Sequence, residues 1–186
     1  MIHDPELLER LSAFATERFD GEVFRATRAS LDPLVPSLNG GRWAPRADAR
    51  TQIPVLYTSL ERSGALAEIS YHWGLLTPRP SKPAIVHRLR VSADRTLRLL
   101  RGNLQTLGVD LERYSERRYG RTQEIGAAVA FLNCDGLVVP CARWDCDNLI
   151  LFTENHGLSN ALEVVVSEEV DWQGWARDAG LLDETG

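Results

Sequence analysis

The sequence predicts a single α+β domain, because helical and strand patterns follow one another along 186 residues with no linker between them. A chain of this length can bury one substantial core but is too short for two ordinary domains. Apolar side chains recur at helical spacing in some segments and alternate with polar ones in others. We therefore expect one domain over residues 1–186, with its core at about 20–170.

Composition excludes several classes of protein. Hydrophobic residues make up 44% and charged residues 25% of the chain, and no apolar run reaches the length of a membrane span. The first residues are polar and acidic, unlike a secretory signal, and the cysteine count is odd, so we expect a cytoplasmic protein. The net charge of −5 argues against direct nucleic-acid binding. Cys134, Cys141 and Cys146 lack the paired two-residue spacing of structural zinc, so we expect no metal.

The first half of the chain combines a capped helix, strands and a loop. Asp4 can cap a helix in which Pro5 fills the first position. Arg25 lies between apolar neighbours in a predicted strand, where it is either an edge-strand surface arginine or a buried charge that needs a partner. Prolines and a glycine pair predict a loop before Arg42. The predicted elements are a helix after Pro5, strands at 22–27 and 55–59, and a helix at 60–73, which Ser59 can cap.

The second half contains shorter strands and two more helices. The proline-rich segment 77–83 predicts an exposed loop, and 104–118 is polar with weak periodicity. Thr122 can cap a helix that ends near Gly136. The predicted strands are 85–91, 96–100, 137–140, 148–152 and 161–166, and a closing helix is predicted at 172–182.

Glu68 and His72 are the candidate titratable pair of the second predicted helix. Their spacing of four places them on one helix face, where a solvated contact worth a few tenths of a kcal/mol, about 0.3, is the plainer interpretation. Cys141 follows a buried strand and a proline, which can expose a side chain, but the support for cysteine catalysis is poor. The residue types alone do not decide whether these side chains act in catalysis or only in the structure.

The order of these motifs resembles that of the RES-domain proteins, named for arginine, glutamate and serine. The resemblance covers nearly the whole chain and rests on six pieces in one order. They are Phe24-Arg25, Gly40-Gly41-Arg42-Trp43, Leu56-Tyr57-Thr58-Ser59, Ala65-Leu66-Ala67-Glu68 with His72, Val139-Pro140-Cys141-Ala142-Arg143, and Asn148-Leu149-Ile150-Leu151-Phe152.

The resemblance implies a fold, an activity and a partner. The fold would be similar to that of ADP-ribosyltransferases, with a split mixed or antiparallel central sheet flanked by helices. The protein would be an enzyme, the toxin of a type II toxin–antitoxin system with an Xre-like antitoxin, that arrests growth. NAD+ would be its substrate, cleaved at the nicotinamide–ribose bond, with ADP-ribose passed to a target protein, phosphate or water.

Residue roles follow from that resemblance. Glu68 would face the ribose, Tyr57 would lie against the nicotinamide ring, and His72 would lie near the carboxylate or the acceptor. The pyrophosphate would be clamped by Arg25 and Arg42, because a planar guanidinium pairs two oxygens at once. Trp43 and Cys141 complete the expected binding residues.

The chain departs from the family pattern at two positions. Ala44 stands where an asparagine is usual, and Cys141 stands where a serine is usual. A thiol is a poorer hydrogen-bonding group than a hydroxyl. A non-catalytic dinucleotide-binding module, with its chemistry impaired at Cys141, is therefore the alternative to an enzyme.

Overall fold

A six-stranded mixed sheet forms the centre of the computed structural model, which describes residues 3–48 and 51–183. The α+β fold class predicted from the sequence is confirmed. The strands are β1 (Thr16–Arg28), β2 (Val55–Ser59), β3 (Ala84–Arg98), β4 (Gly136–Pro140), β5 (Asp147–Phe152) and β6 (Leu162–Val170). The helices are α1 (Pro5–Ser12), α2 (Arg62–Gly74), α3 (Arg101–Thr106), α4 (Gly120–Phe131) and α5 (Trp172–Asp178).

Strand β3 joins the two parts of the sheet. The strand order is β1-β2-β5-β4-β3-β6, and β1 also pairs with β3. Along one edge, β3 pairs antiparallel with β1 from Ala84 to Leu97. Along its other edge it pairs antiparallel with β6 up to Val91 and parallel with β4 from Thr96. The sheet is therefore split where β3 changes partner.

Two apolar clusters hold the layers together. The larger cluster packs α1 and α4 against the sheet and includes the fully buried side chains of Leu11, Ile125 and Phe152. The smaller cluster joins β1 and β3 to β2 and β5, with Val23 and Leu56 among its members. Burial of each such side chain stabilises the fold by about 1.5–3 kcal/mol. Helix α2 packs against β1.

Strand β3 is one long strand where the sequence predicts two. Ser92, Ala93 and Asp94 interrupt the apolar alternation and so look like a break. The carboxylate of Asp135 accepts hydrogen bonds from the backbone N–H groups of Asp94 and Arg95, at 2.7 and 2.9 Å. This tertiary contact keeps the backbone extended through the polar residues. The prediction of separate strands at 85–91 and 96–100 is therefore wrong.

Helix α4 begins and ends earlier than predicted. Its N-cap is Tyr119, which makes no side-chain capping bond, and the hydroxyl of Thr122 donates to the carbonyl of Tyr119 instead of capping the helix. The chain turns at Asn133, whose φ is 58°, and Gly136 is the first residue of β4. In the N-terminal helix Asp4 caps as predicted, accepting the Glu6 N–H at 3.0 Å. Within residues 3–48 and 51–183, no helix combines the length and apolarity needed to cross a membrane.

Candidate active site

A cavity of about 290 Å³ opens beside the edge of β2, beneath α2 and the loop that precedes β2. It brings together five side chains that the sequence singled out. They are Arg25 from β1, Arg42 from the loop, Tyr57 from β2, and Glu68 and His72 from α2. The remaining lining comes from the glycine pair, from four strands, from α2 and from the connecting segments. These residues are Gly40, Gly41, Ala26, Trp43, Thr58, Ser59, Ala65, Ile69, Tyr119, Pro140, Ala142, Arg143 and Asn148.

Two hydrogen-bond donors fix one carboxylate oxygen of Glu68. Its Oε1 accepts hydrogen bonds from the thiol of Cys141 and from Nδ2 of Asn148, both at 3.3 Å. The side chain is 32% exposed, so a carboxylate fixed through one oxygen still presents its other oxygen to the cavity. Gly64 allows this arrangement, because a Cβ there would collide with the hydroxyl of Ser59. Helix α2 can therefore start close to β2.

His72 lies one turn beyond Glu68, with 4.0 Å between its Nε2 and Oε2 of the carboxylate. Burial lowers the pKa of His72; the carboxylate of Glu68 opposes that effect, while the guanidinium of Arg143 adds to it. The imidazole is therefore mostly neutral at pH 7, and the contact is not a strong ion pair. A neutral ring beside the carboxylate can accept as well as donate a proton.

Arg25 has one guanidinium nitrogen without a protein partner. Its Nη2 donates to the backbone oxygen of Val35 at 3.2 Å, whereas its buried Nη1 has no hydrogen-bond partner among the described residues. Burial lowers the pKa of Arg25, and only the charge of Asp32 opposes this. A guanidinium still remains protonated. A buried donor of this kind is costly in the empty protein and suits an anionic ligand.

Arg42 is fixed between two aromatic rings. Its guanidinium carbon lies 4.7 Å from the ring centre of Tyr114 and 4.8 Å from that of Tyr119. Its Nη2 donates to the carbonyl of Glu116 at 3.2 Å. Such cation–π contacts are worth about 0.5–1 kcal/mol each at exposed sites. Gly40, with a φ of +74°, supplies the turn that precedes the arginine.

Tyr57 is fixed by the backbone of the same loop. Its hydroxyl accepts the N–H of Trp43 at 3.3 Å, and a Cβ on Gly41 would approach that hydroxyl to 2.6 Å. Burial raises the pKa of Tyr57, so the phenol stays neutral. The side chain of Trp43 is 2% exposed and belongs to the core, so its part in the site is through its backbone. The loop is tied to α4 by Gln123, whose Nε2 donates to the carbonyl of Gly41 at 2.8 Å.

Sequence reasoning gave no role to Asn148, Arg143 or Tyr119. Asn148 lies opposite Ser59 in the β2–β5 pairing, which brings its amide beside the carboxylate. The guanidinium of Arg143 lies 3.3 Å above the ring of Tyr71 and lines the cavity. A signal existed for two of them, since Arg143 lies in the connection between two strongly apolar strands and Asn148 lies at the start of the second strand. Tyr119 gave none, because its part depends on Arg42 stacking against it.

Cys141 does not line the cavity. Its side chain is 1% exposed; its thiol donates to Glu68, and its sulfur accepts the backbone N–H of Arg143 at 3.4 Å. Its expected part in binding would therefore be indirect, through residues that themselves line the cavity. In the part of the chain that the structure describes, no group of three or more His, Cys, Asp or Glu side chains is arranged to hold a metal ion.

The charges of the cavity suit a ligand that carries anionic groups next to an electron-poor centre. Arg25, Arg42 and Arg143 supply positive charge, and Glu68 supplies negative charge on the α2 side. Guanidinium groups match phosphate oxygens in shape and charge. A carboxylate that is held in advance stabilises a developing cation without first having to reorganise.

Comparisons with known proteins identify the family and the fold of the chain. A family model described as RES domain matches residues 17–173. A search of the curated proteins finds no match. Among solved structures, a chain of the crystal structure of the M. tuberculosis MbcT–MbcA toxin–antitoxin complex superposes with a TM-score of 0.76. That alignment covers 94% of this chain and 97% of the other, at 18% sequence identity, and shows a shared fold.

Proposed function

The chain belongs to the RES domain family, and we propose that it is the toxin of a toxin–antitoxin pair that cleaves the nicotinamide–ribose bond of NAD+. ADP-ribose passes to an acceptor, which is a target protein, phosphate or water. The structural relative described above comes from a toxin–antitoxin complex, which supports an antitoxin as partner. The type of antitoxin that we propose is Xre-like.

One observation carries the proposal. Arg25, Arg42, Tyr57 and Glu68, which come from β1, a loop, β2 and α2, line a single cavity. Within that cavity one guanidinium nitrogen has no partner in the described protein, and the carboxylate is fixed by two donors. A dinucleotide with a diphosphate and a positively charged pyridinium has groups that complement both features.

Glu68 supplies the main catalytic effect in this mechanism. The pyridinium of NAD+ leaves as neutral nicotinamide, so its departure needs no proton from the protein. Positive charge then develops on the ribose, as in other oxocarbenium-like transition states. The second oxygen of Glu68 faces that charge and stabilises the transition state more than the ground state.

The arginines and the tyrosine place the bond to be broken. Arg25 and Arg42 pair with the diphosphate oxygens and hold the dinucleotide bent over the cavity. The ring of Tyr57 offers a flat apolar surface to the nicotinamide. His72, neutral and 4.0 Å from the carboxylate, can accept the proton of a water or hydroxyl acceptor.

The test is nicotinamide release from NAD+ by the purified chain. We expect release, and we expect Glu68→Gln to slow it by about 10²–10³-fold, the usual effect of removing one preorganised electrostatic group. Glu61→Gln is the matched control, because Glu61 is an exposed carboxylate at the N-cap of the same helix. Circular dichroism and thermal unfolding establish that both variants fold.

Mass spectrometry of the products identifies the acceptor. Incubation with and without phosphate separates phosphorolysis from hydrolysis, and a mass increase on cell proteins identifies protein modification. Full turnover by Glu68→Gln would rule out the mechanism. Binding of NAD+ without any release by the unaltered chain would favour the non-catalytic binding module.

A further inference from the structure

Two cysteines lie opposite each other directly behind the catalytic carboxylate. Strands β4 and β5 pair with Pro140 opposite Asp147, so Cys141 and Cys146 form the next opposed pair. The N–H of Cys141 donates to the carbonyl of Cys146 at 2.8 Å. Opposed residues of such a pair have Cα atoms about 5.5 Å apart, within the range of roughly 4.4–6.8 Å that a disulfide requires.

Both thiols contact the machinery of the site. The sulfur of Cys141 lies 3.3 Å from Oε1 of Glu68, and the sulfur of Cys146 lies 3.3 Å from the hydroxyl of Ser59. The two thiols are close enough to influence each other's charge, and both cysteines are free. The one proton of Cys141 is donated to Glu68. A change at this pair therefore reaches the carboxylate through a single contact.

We propose that Cys141 and Cys146 are a site of reversible oxidation, at which a peroxide closes a disulfide and thereby lowers the activity of the neighbouring carboxylate. The effect on activity rests on the function proposed above, whereas the chemistry of the pair does not. The sulfur of Cys146 attacks one oxygen of hydrogen peroxide, which breaks the O–O bond and gives a sulfenic acid and water. The sulfur of Cys141 then displaces the sulfenic oxygen, which leaves as a second water. Two thiols lose two electrons and two protons, and one peroxide becomes two waters.

The surroundings of the two thiols differ in exposure and in their effect on the thiol pKa, and this decides which thiol reacts with peroxide first. Cys146 is half-buried, and its pKa is lowered by the neighbouring thiol of Cys141 and, less strongly, by the hydrogen bond with Ser59, while burial opposes both effects. Cys141 is 1% exposed, and its pKa is raised by the neighbouring thiol of Cys146, by burial and by the charge of Glu68. Thiolate character and access together decide which cysteine a peroxide oxidises. Cys146 therefore reacts first and Cys141 resolves the sulfenic acid.

Closing the disulfide removes one of the two donors that hold Glu68. The sulfur of Cys141 loses its proton and moves to about 2.05 Å from its new partner. Asn148 then remains as the other donor to Oε1. We expect nicotinamide release to fall about tenfold, the effect of losing one hydrogen bond to a charged group.

Mass spectrometry tests the thiol pair without reference to activity. The reduced chain is treated with hydrogen peroxide, and its remaining thiols are alkylated before the mass is measured. We expect the loss of two hydrogens, with one of the three cysteines alkylated. Trypsin cuts after Arg143, between the paired cysteines, so the disulfide joins two peptides. Fragmentation of the joined peptides should place the label on Cys134, and a link through Cys134, or no link at all, would overturn the proposal.

Nicotinamide release before and after peroxide tests the consequence. Cys146→Ser keeps Cys141 beside Glu68, and its nicotinamide release should not fall on treatment with peroxide. The matched control Cys134→Ala should remain as sensitive as the unaltered chain. Dithiothreitol should restore the lost activity by reducing the disulfide. A disulfide that forms without lowering release would refute its control of activity, while no release by the reduced chain would instead refute the function proposed above.

Discussion

Replacement of Arg25 by methionine should separate ligand binding from stability. The variant removes a buried nitrogen that has no hydrogen-bond partner among the described residues, and it removes one hydrogen bond to the carbonyl of Val35. Removing a buried donor that has no partner is favourable, whereas leaving that carbonyl unpaired is unfavourable by a similar amount. Without ligand, we therefore expect the free energy of unfolding to change by less than about 1 kcal/mol.

Binding should respond much more strongly. A hydrogen bond to a charged group contributes about 1.5–3 kcal/mol, so its loss should weaken binding by about 10- to 150-fold. ADP-ribose is the suitable ligand, because it keeps the diphosphate but lacks the nicotinamide that the protein would release. Isothermal titration calorimetry gives its affinity, and thermal unfolding with and without ADP-ribose gives the stabilisation that binding adds.

Arg28→Met is the matched control, because Arg28 is an exposed arginine at the end of the same strand. It should bind ADP-ribose as the unaltered chain does. Equal affinity in Arg25→Met, or equal weakening in both variants, would refute the assignment of Arg25 to the diphosphate. A large loss of stability in Arg25→Met without ligand would show that the guanidinium stabilises the fold itself, against this expectation.

Two further substitutions test the supports of the site. Gly126→Ala should destabilise the protein by about 1–3 kcal/mol, because a Cβ there would collide with the backbone oxygen of Trp43 in a packed core. Thermal unfolding measures this loss of stability. The control is Gly120→Ala, where a Cβ meets nothing within 4 Å, and we expect it to cost no stability. An unchanged melting temperature for the first variant would contradict the close approach. Cys141→Ser should keep or increase nicotinamide release, because a hydroxyl is a better donor to Glu68 than a thiol is; a large loss on this change would show that the thiol has a role of its own.

The sequence predicted the cavity's principal residues more fully than the contacts that fix them. Arg25, Arg42, Tyr57 and Glu68 were recognisable because each lies in a short motif, and the motifs keep a recognisable order. The donors behind Glu68 were not predictable from spacing. Asn148 reaches the carboxylate only because β2 and β5 pair with Ser59 opposite it, and that register is a property of the folded sheet.

The fold shows the same division between local and long-range causes. Continuous apolar runs predicted the buried strands β4 and β5, and the aspartate cap predicted the first helix, because these signals act within a few residues. The continuity of β3 depends on the carboxylate of Asp135, which lies forty residues away from the N–H group of Arg95 that it binds. The start of α4 at Gly120 likewise could not be predicted from a capping residue, because its N-cap Tyr119 makes no side-chain capping bond.

The pairing of β1 with β3 has a consequence for how the chain assembles. These strands pair along their length although β2 and α2 lie between them in the sequence. The entropy of closing that long loop is therefore lost before the contacts between the two strands can stabilise the fold. Arg25 takes its place only after that closure, and the amide of Asn148 arrives with β5, still later in synthesis. A nascent chain on the ribosome therefore has no finished cavity until most of it has been made. Prematurely terminated products that end before β5 should be inert.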